Sequence, residues 1–108
     1  MTQMHEFLTQ AIYSEMLDAQ AKHGCYFNSD HEASAVIREE VEEFNFEVKN
    51  VKDCFKDYWD AVKSDDADDI LTCIKTLESS VKLALCELVQ VAAMCAKAIR
   101  TIEQEDED

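Results

Sequence analysis

The chain has 108 residues with one glycine and no proline, and its 24 acidic against 10 basic side chains give a formal net charge of -14. Because β-rich folds need glycine and proline turns about every ten residues, this composition excludes sandwiches, barrels and glycine-rich phosphate loops. The acidic excess repels nucleic-acid backbones and anionic membranes, so we expect neither as a partner. Apolar residues make up 47% of the chain, enough for a core. We predict a single all-α domain over residues 1–102.

The first two predicted helices are separated by the only stretch with clear loop character, residues 24–30. Helix 1 carries apolar residues at helical spacing from residue 4 to residue 19, and Gly24 is its expected stop. Ser29 or Asp30 is the expected cap of helix 2. No helix breaker interrupts the apolar stripe that follows, so helix 2 is expected to run for about 32 residues, or ~48 Å.

The third helical stretch begins near Ala67, after a cap signal at residues 64–66. The serine pair at residues 79–80 is a candidate break that would divide it in two. From Leu83 to Ile99 it is apolar nearly all round, and such a helix is buried on most sides. We therefore predict a bundle of three to four helices completed by oligomerisation, as a homodimer or a dimer of dimers. The acidic tail, residues 103–108, is expected to fray in solvent.

The five cysteines show no Cys-x-x-Cys pair and no cysteine–histidine zinc spacing, which favours reduced thiols in a reducing cytoplasm. The first six residues lack the basic region of a signal peptide. No segment approaches ~20 uninterrupted apolar residues, the length that spans a bilayer. These patterns predict a cytoplasmic protein without a membrane partner.

Helix 2 carries a dense acidic run at residues 39–43. Acidic runs usually form solvated helix faces. Stepping about 100° per residue from Val36, however, places Glu40 and Glu47 inside the apolar arc and Glu43 at its edge. Burying these carboxylates without a counter-charge would cost several kcal/mol per ion. Because oxygen-only carboxylate sites suit Mg²⁺, with Mn²⁺ as the alternative, the row is a candidate metal site.

The third helix offers a second polar strip inside its apolar stretch. Glu87 and Gln90 are one turn apart, and Lys97 lies ~10 Å further along the same face. Taken alone, this strip is equally consistent with the one solvent edge of a buried helix.

Together, the two strips resemble the MazG-like nucleotide pyrophosphohydrolases, the all-α NTP pyrophosphatases with an EExxE…ExxD signature, and in particular their small phage-type members. The first motif lies within His31–Lys49 and the second within Glu87–Met94. The resemblance covers residues 25–50 and 83–103, and residues 50–81 look like an insertion between the motifs. It implies a Mg²⁺-dependent enzyme that cleaves an NTP or dNTP into the monophosphate and pyrophosphate.

The resemblance also implies roles for individual residues. Its metal ligands fall on Glu40, Glu43 and Glu87, and Gln90 stands where the family carries an aspartate. A carboxylate outside the metal shell, Glu39 or Glu47, is expected to position or deprotonate the attacking water. The expected contacts to substrate come from residues able to meet phosphate or stack on a base, namely His31, Arg38 and Lys97.

Three other interpretations compete with this one, and one of them is a member of the same family that kept the fold and the metal but lost turnover. A ferritin-like dimetal bundle needs Glu-x-x-His pairs, and no histidine here follows a glutamate by three residues. The second rival is a catalytically silent acidic interaction protein with the same fold, such as a phage accessory factor or a nucleic-acid mimic. A mimic would spread its charges over the outside, whereas Glu40 and Glu47 are expected to point inward.

Overall fold

A computed structural model describes residues 2–107, and over that range the chain consists of three α-helices without a strand. Helix α1 spans Thr2–His23, α2 spans Asp30–Ser64 and α3 spans Ala67–Glu107. The predicted all-α class is confirmed. Asp108, the last residue of the expected frayed tail, lies outside the described residues, and α3 continues through residues 103–107.

The ends of α1 and α2 follow local rules that the sequence displays. Gly24 adopts a left-handed backbone with φ of 94° and donates its N–H to the carbonyl of Gln20 at 2.9 Å, which ends α1. Ser29 caps α2, because its Oγ accepts the N–H of Glu32 at 3.0 Å. Of the two residues expected to cap α2, Ser29 is therefore the one that forms the N-cap hydrogen bond.

A two-residue turn, Asp65–Asp66, joins α2 to α3. Asp65 takes a positive φ of 57°, a conformation that aspartate tolerates better than most residues. The Oδ1 of Asp66 accepts the N–H groups of Asp68 and Asp69 at 3.1 and 3.2 Å, so Asp66 caps α3.

The serine pair at residues 79–80 does not break α3, so that expectation was wrong. Ser80 is buried and α3 remains helical across it. A small side chain at this position lets α3 pack closely inside its unit, and packing outweighs the weak helix propensity of serine.

The packing divides the chain into two compact units, and the boundary passes through α2 after Val41 and through α3 after Glu87. Unit 1 comprises α1, the first loop, the start of α2 and the second half of α3. Its core contains side chains from all four segments: Met16, Phe27, Ala33, Ala93 and Met94. The single domain expected over residues 1–102 stays a prediction.

Unit 2, Glu42–Glu87, is a helical hairpin made of the rest of α2 and the start of α3. Its buried side chains are small, namely Ala61, Ser80 and Ala84. Many of its large apolar side chains are exposed: Phe46, Phe55, Trp59, Leu71, Ile74, Val81, Leu83 and Leu85.

By length and composition α3 is also a helix that could cross a membrane, the one such helix among the described residues. Its most apolar window has a mean hydropathy of 1.4 and is 22% buried. The core helix of a soluble assembly has the same properties, so the absence of a membrane partner and the cytoplasmic location stay predictions.

Candidate functional site

Unit 1 contains a cavity of about 650 Å³. Residues of α1, the first loop, the start of α2 and the second half of α3 line it. Four residues predicted from the sequence are among them: Glu39, Glu40, Gln90 and Lys97. The cavity therefore brings together the start of the first motif and the end of the second.

Lys97 is the most deeply buried charged residue of this cavity, with 3% of its surface exposed. Its Nζ lies 4.4 Å from the centre of the Phe27 ring. Phe27 is fixed in turn, because its N–H donates to Thr101 Oγ1 at 3.0 Å and that hydroxyl donates to the Lys97 carbonyl at 2.9 Å. The lysine is thus held in one orientation by a cation–π contact and a hydrogen-bonded helix turn.

Within the part of the chain that the structure describes, the Lys97 ammonium makes neither a hydrogen bond nor an ion pair. The negative charge of Glu32 acts on this ammonium from beyond the range of an ion pair. A phosphate oxygen inside the cavity could approach more closely and accept a charge-assisted hydrogen bond from it.

Glu32 lies at the loop side of the cavity and is tied to Asn28. Its two carboxylate oxygens accept the Asn28 backbone N–H at 3.1 Å and the Asn28 side-chain amide at 3.0 Å. These hydrogen bonds lower the pKa of Glu32, and the positive charge of Lys97 lowers it further. Glu32 therefore stays ionised and adds one fixed negative charge to the lining.

Gln90 is held by a residue that the sequence analysis did not single out. Its Nε2 donates to Glu15 Oε2 of α1 at 2.7 Å, and both side chains are half-buried in the cavity lining. A signal for Glu15 exists in the sequence. It lies three residues after Ile12 and four before Ala19, so it falls within the apolar stripe of α1.

In unit 2 the carboxylates of Glu43 and Glu87 approach within 4.8 Å of each other. Burial raises the pKa of Glu87 above its ordinary value, and the negative charge of Glu43, a hydrogen bond with it and the charge of Glu47 raise it further. A cation bound between the two carboxylates would remove the repulsion between them. Two such oxygens are ligands that Mg²⁺ prefers.

The structure thus places the predicted site residues in three different surroundings. Glu39, Glu40, Gln90 and Lys97 line the cavity of unit 1, and Glu43, Glu47 and Glu87 lie together in unit 2. Glu40 precedes Glu43 by one turn of the continuous α2 helix. His31 and Arg38 are exposed on α2 and are not part of the cavity lining, so their substrate contacts stay predictions.

No protein-family model, no curated protein and no solved structure matches this chain. The resemblance of its two motifs to MazG-like enzymes therefore stays a prediction.

Proposed function

We propose that this chain is a Mg²⁺-dependent nucleoside triphosphate pyrophosphohydrolase that cleaves an NTP or dNTP into the monophosphate and pyrophosphate. The observation that carries the proposal is Lys97, a buried residue that lines a cavity with Glu39, Glu40 and Gln90 and whose ammonium makes neither a hydrogen bond nor an ion pair among the described residues. At about 650 Å³ the cavity lies within the range of ~300–1,000 Å³ that is usual for small-molecule sites.

The charge of the lining supports a ligand that carries metal. Five carboxylates line the cavity against two lysines, so the field inside is negative although Lys97 is positive. A bare triphosphate would be repelled by the carboxylates. A triphosphate that brings Mg²⁺ would satisfy both the acidic residues and the buried lysine.

The donor atoms present suit Mg²⁺, which binds carboxylate and amide oxygens. In unit 1 these are Glu40 and the amide oxygen of Gln90, which could hold one ion. In unit 2 they are Glu43 and Glu87, a separate pair that could hold another. When bound, the metal would polarise a phosphoryl oxygen and make water a better nucleophile.

The chain's own residues would contribute binding and proton transfer. Lys97 holds a non-bridging phosphate oxygen, and the Phe27 ring keeps its ammonium oriented. Water attacks the α-phosphorus, the bond from that phosphorus to the bridging oxygen breaks, and pyrophosphate leaves. Glu39, which is exposed at the cavity, takes the water proton. Glu47, the other base expected from the sequence, is not in the cavity lining.

The proposal is tested by measuring pyrophosphate release from a panel of NTPs and dNTPs with Mg²⁺. We expect release from at least one nucleotide, and none in excess EDTA. In Lys97→Met, which keeps the shape of the side chain, KM should rise about 10- to 100-fold because a charged hydrogen bond to phosphate is lost. Lys75→Met, which removes one exposed charge from α3, is the matched control. No release from any nucleotide would overturn the proposal.

A second candidate, the catalytically silent interaction protein, is favoured by one observation. Unit 2 exposes large apolar side chains such as Phe46, Phe55 and Trp59 on a strongly acidic chain, which is what a partner-binding surface offers. Thermal melting with and without Mg²⁺ separates the two functions. A ligand at 100 times its dissociation constant adds ~2.7 kcal/mol of stability, whereas a silent acidic protein does not respond.

We also propose that the chain assembles into a homodimer or a dimer of dimers. The support is the exposure of Leu83, Leu85, Leu88 and Ile99, at 58, 50, 46 and 56%. These residues belong to the stretch of α3 that is apolar nearly all round, and water is a poor solvent for it.

A further inference from the structure

We propose that Glu15 of α1 is a further cation-ligating carboxylate of the unit 1 cavity and that Gln90 is the residue that positions it. The inference rests on the proposed function for the identity of the ligand, a metal-bearing phosphate compound. It assigns to the first helix a part in the site that neither motif contains.

The hydrogen bond between the two side chains defines which atoms remain for a cation. Gln90 Nε2 donates to Glu15 Oε2 at 2.7 Å, a short bond of the charge-assisted kind. The amide nitrogen of Gln90 is therefore committed to Glu15. The second oxygen of the carboxylate and the amide oxygen of Gln90 are the two atoms of the pair that can ligate a cation.

A purely structural role fits Glu15 poorly. It lies in the arc of α1 that also holds Ile12 and Met16, and Met16 is 1% exposed in the core. The amide of Gln90 uses one of the Glu15 carboxylate oxygens and leaves the other for a second partner. Glu39 and Glu40 line the same cavity and add like charge. A cation bound beside Glu15 would account for the presence of its carboxylate among these other acidic residues.

Lys97 is the independent observation that this cavity takes a ligand. Its side chain is more than nine-tenths buried and lines the cavity with Glu15; among the described residues its ammonium lies over the Phe27 ring and interacts with the charge of Glu32, but makes neither a hydrogen bond nor an ion pair. The Lys97 ammonium can bind an anionic group of a ligand, whereas the carboxylates of the cavity lining can bind a cation. A phosphate compound carrying a divalent metal has both, with its metal on the Glu15 side and a phosphate oxygen on Lys97.

The test is the affinity for Mn²⁺, followed by the paramagnetic resonance signal of the free ion, with and without an α,β-methylene nucleoside triphosphate that cannot be cleaved. Three variants are compared with the unmodified protein. Glu15→Gln keeps the shape and a hydrogen bond to Gln90 but removes the charge. Glu15→Gln combined with Gln90→Glu moves the carboxylate to α3 and keeps the pair. Glu6→Gln removes an exposed charge from the same helix outside the cavity.

We expect Glu15→Gln to weaken Mn²⁺ binding about 10-fold or more, and the exchanged pair to recover most of that loss. Glu6→Gln should bind like the unmodified protein. If the unmodified protein binds Mn²⁺ and Glu15→Gln binds it equally well, the role of Glu15 is refuted and the proposed function stands. If the unmodified protein binds no Mn²⁺ even with the nucleotide, the proposed function falls and this inference falls with it. Melting of Glu15→Gln in EDTA checks that the variant is folded.

Discussion

Unit 1 and unit 2 are both built from the long helices α2 and α3, but only unit 1 buries large apolar side chains in a core. In unit 1, α1 and the first loop pack on α2 and α3, and Met16 and Ala93 are almost completely buried. In unit 2 only two helices meet, and side chains such as Phe55, Trp59 and Leu71 are about half exposed. A helix pair can cover one stripe of each helix, whereas a third segment closes a core. Unit 1 therefore has a closed core and unit 2 does not, although both units expose large apolar side chains, such as Phe7 and Ile99 in unit 1.

The largest contrast should come from truncating one apolar side chain in each unit. Met16→Ala is expected to lower the free energy of unfolding by ~2–4 kcal/mol, since Met16 is 1% exposed and the cavity it leaves cannot collapse fully. Leu71→Ala should cost less than ~0.5 kcal/mol in the dissociated chain, because Leu71 is already 53% exposed. Urea denaturation at low protein concentration measures both. If both substitutions lower the free energy of unfolding equally, the two units do not differ in how well their cores are packed.

The next largest effect should be on self-association of the chain through an apolar strip of α3. Ile74, Val81 and Leu85 recur at helical spacing on one strip of α3 and are 38, 46 and 50% exposed. Val81→Lys combined with Leu85→Lys should weaken self-association by a factor of at least ~100, because two charges then enter an apolar contact. Sedimentation velocity is the measurement. Thr72→Lys with Thr76→Lys adds the same charge to exposed polar positions and should leave association nearly unchanged. A monomeric unmodified chain would contradict the prediction.

The smallest effect is a dependence on pH within unit 2. The folded chain raises the pKa of Glu87 above its ordinary 4.5, so the protonated folded form is favoured. In EDTA, stability should fall as pH rises from about 4.5 through the raised pKa, and Glu87→Gln should flatten this dependence and raise Tm near pH 7 by a few degrees.

Mg²⁺ should reverse the order of the two melting temperatures at pH 7, so that the unmodified chain melts above Glu87→Gln. At pH 7 it should raise the Tm of the unmodified chain more than that of Glu87→Gln, because the ion offsets the repulsion between the Glu43 and Glu87 carboxylates. Glu103→Gln, on an exposed residue of α3, is the matched control and should follow the unmodified chain. If Glu87→Gln and the unmodified chain respond equally to Mg²⁺, Glu87 is not a ligand.

Sequence alone was sufficient where a structure is determined locally. The glycine stop at Gly24, the cap at Ser29 and the start of α3 at Ala67 follow from hydrogen bonds within a few residues. The phase of α2 also predicted correctly that Glu40 and Glu47 are partly buried and that Glu43 lies at an edge, where it is exposed. Helical phase is a property of one element and needs no knowledge of its neighbours.

Features that depend on packing between distant segments could not be predicted in this way. The Glu15–Gln90 hydrogen bond joins residues 75 positions apart, and the Phe27–Thr101 bond joins residues 74 apart. Local propensity suggested a break at residues 79–80, but the contacts of Ser80 inside the hairpin kept α3 continuous. Nor does the sequence reveal that Lys97 is buried, because a lysine of this kind usually extends to solvent.

The separation of these contacts along the chain also sets an order of events in time. The hairpin of unit 2 closes through the two-residue turn at Asp65–Asp66, and such local helix pairs form within microseconds to milliseconds. Unit 1 must instead bring Phe27 to Thr101 across 74 residues, and that loop closure has a greater entropic cost. The chain has no proline whose isomerisation would delay either step. The hairpin should therefore form first and shorten the remaining search, so the cavity with its buried lysine is the last part of the molecule to be assembled.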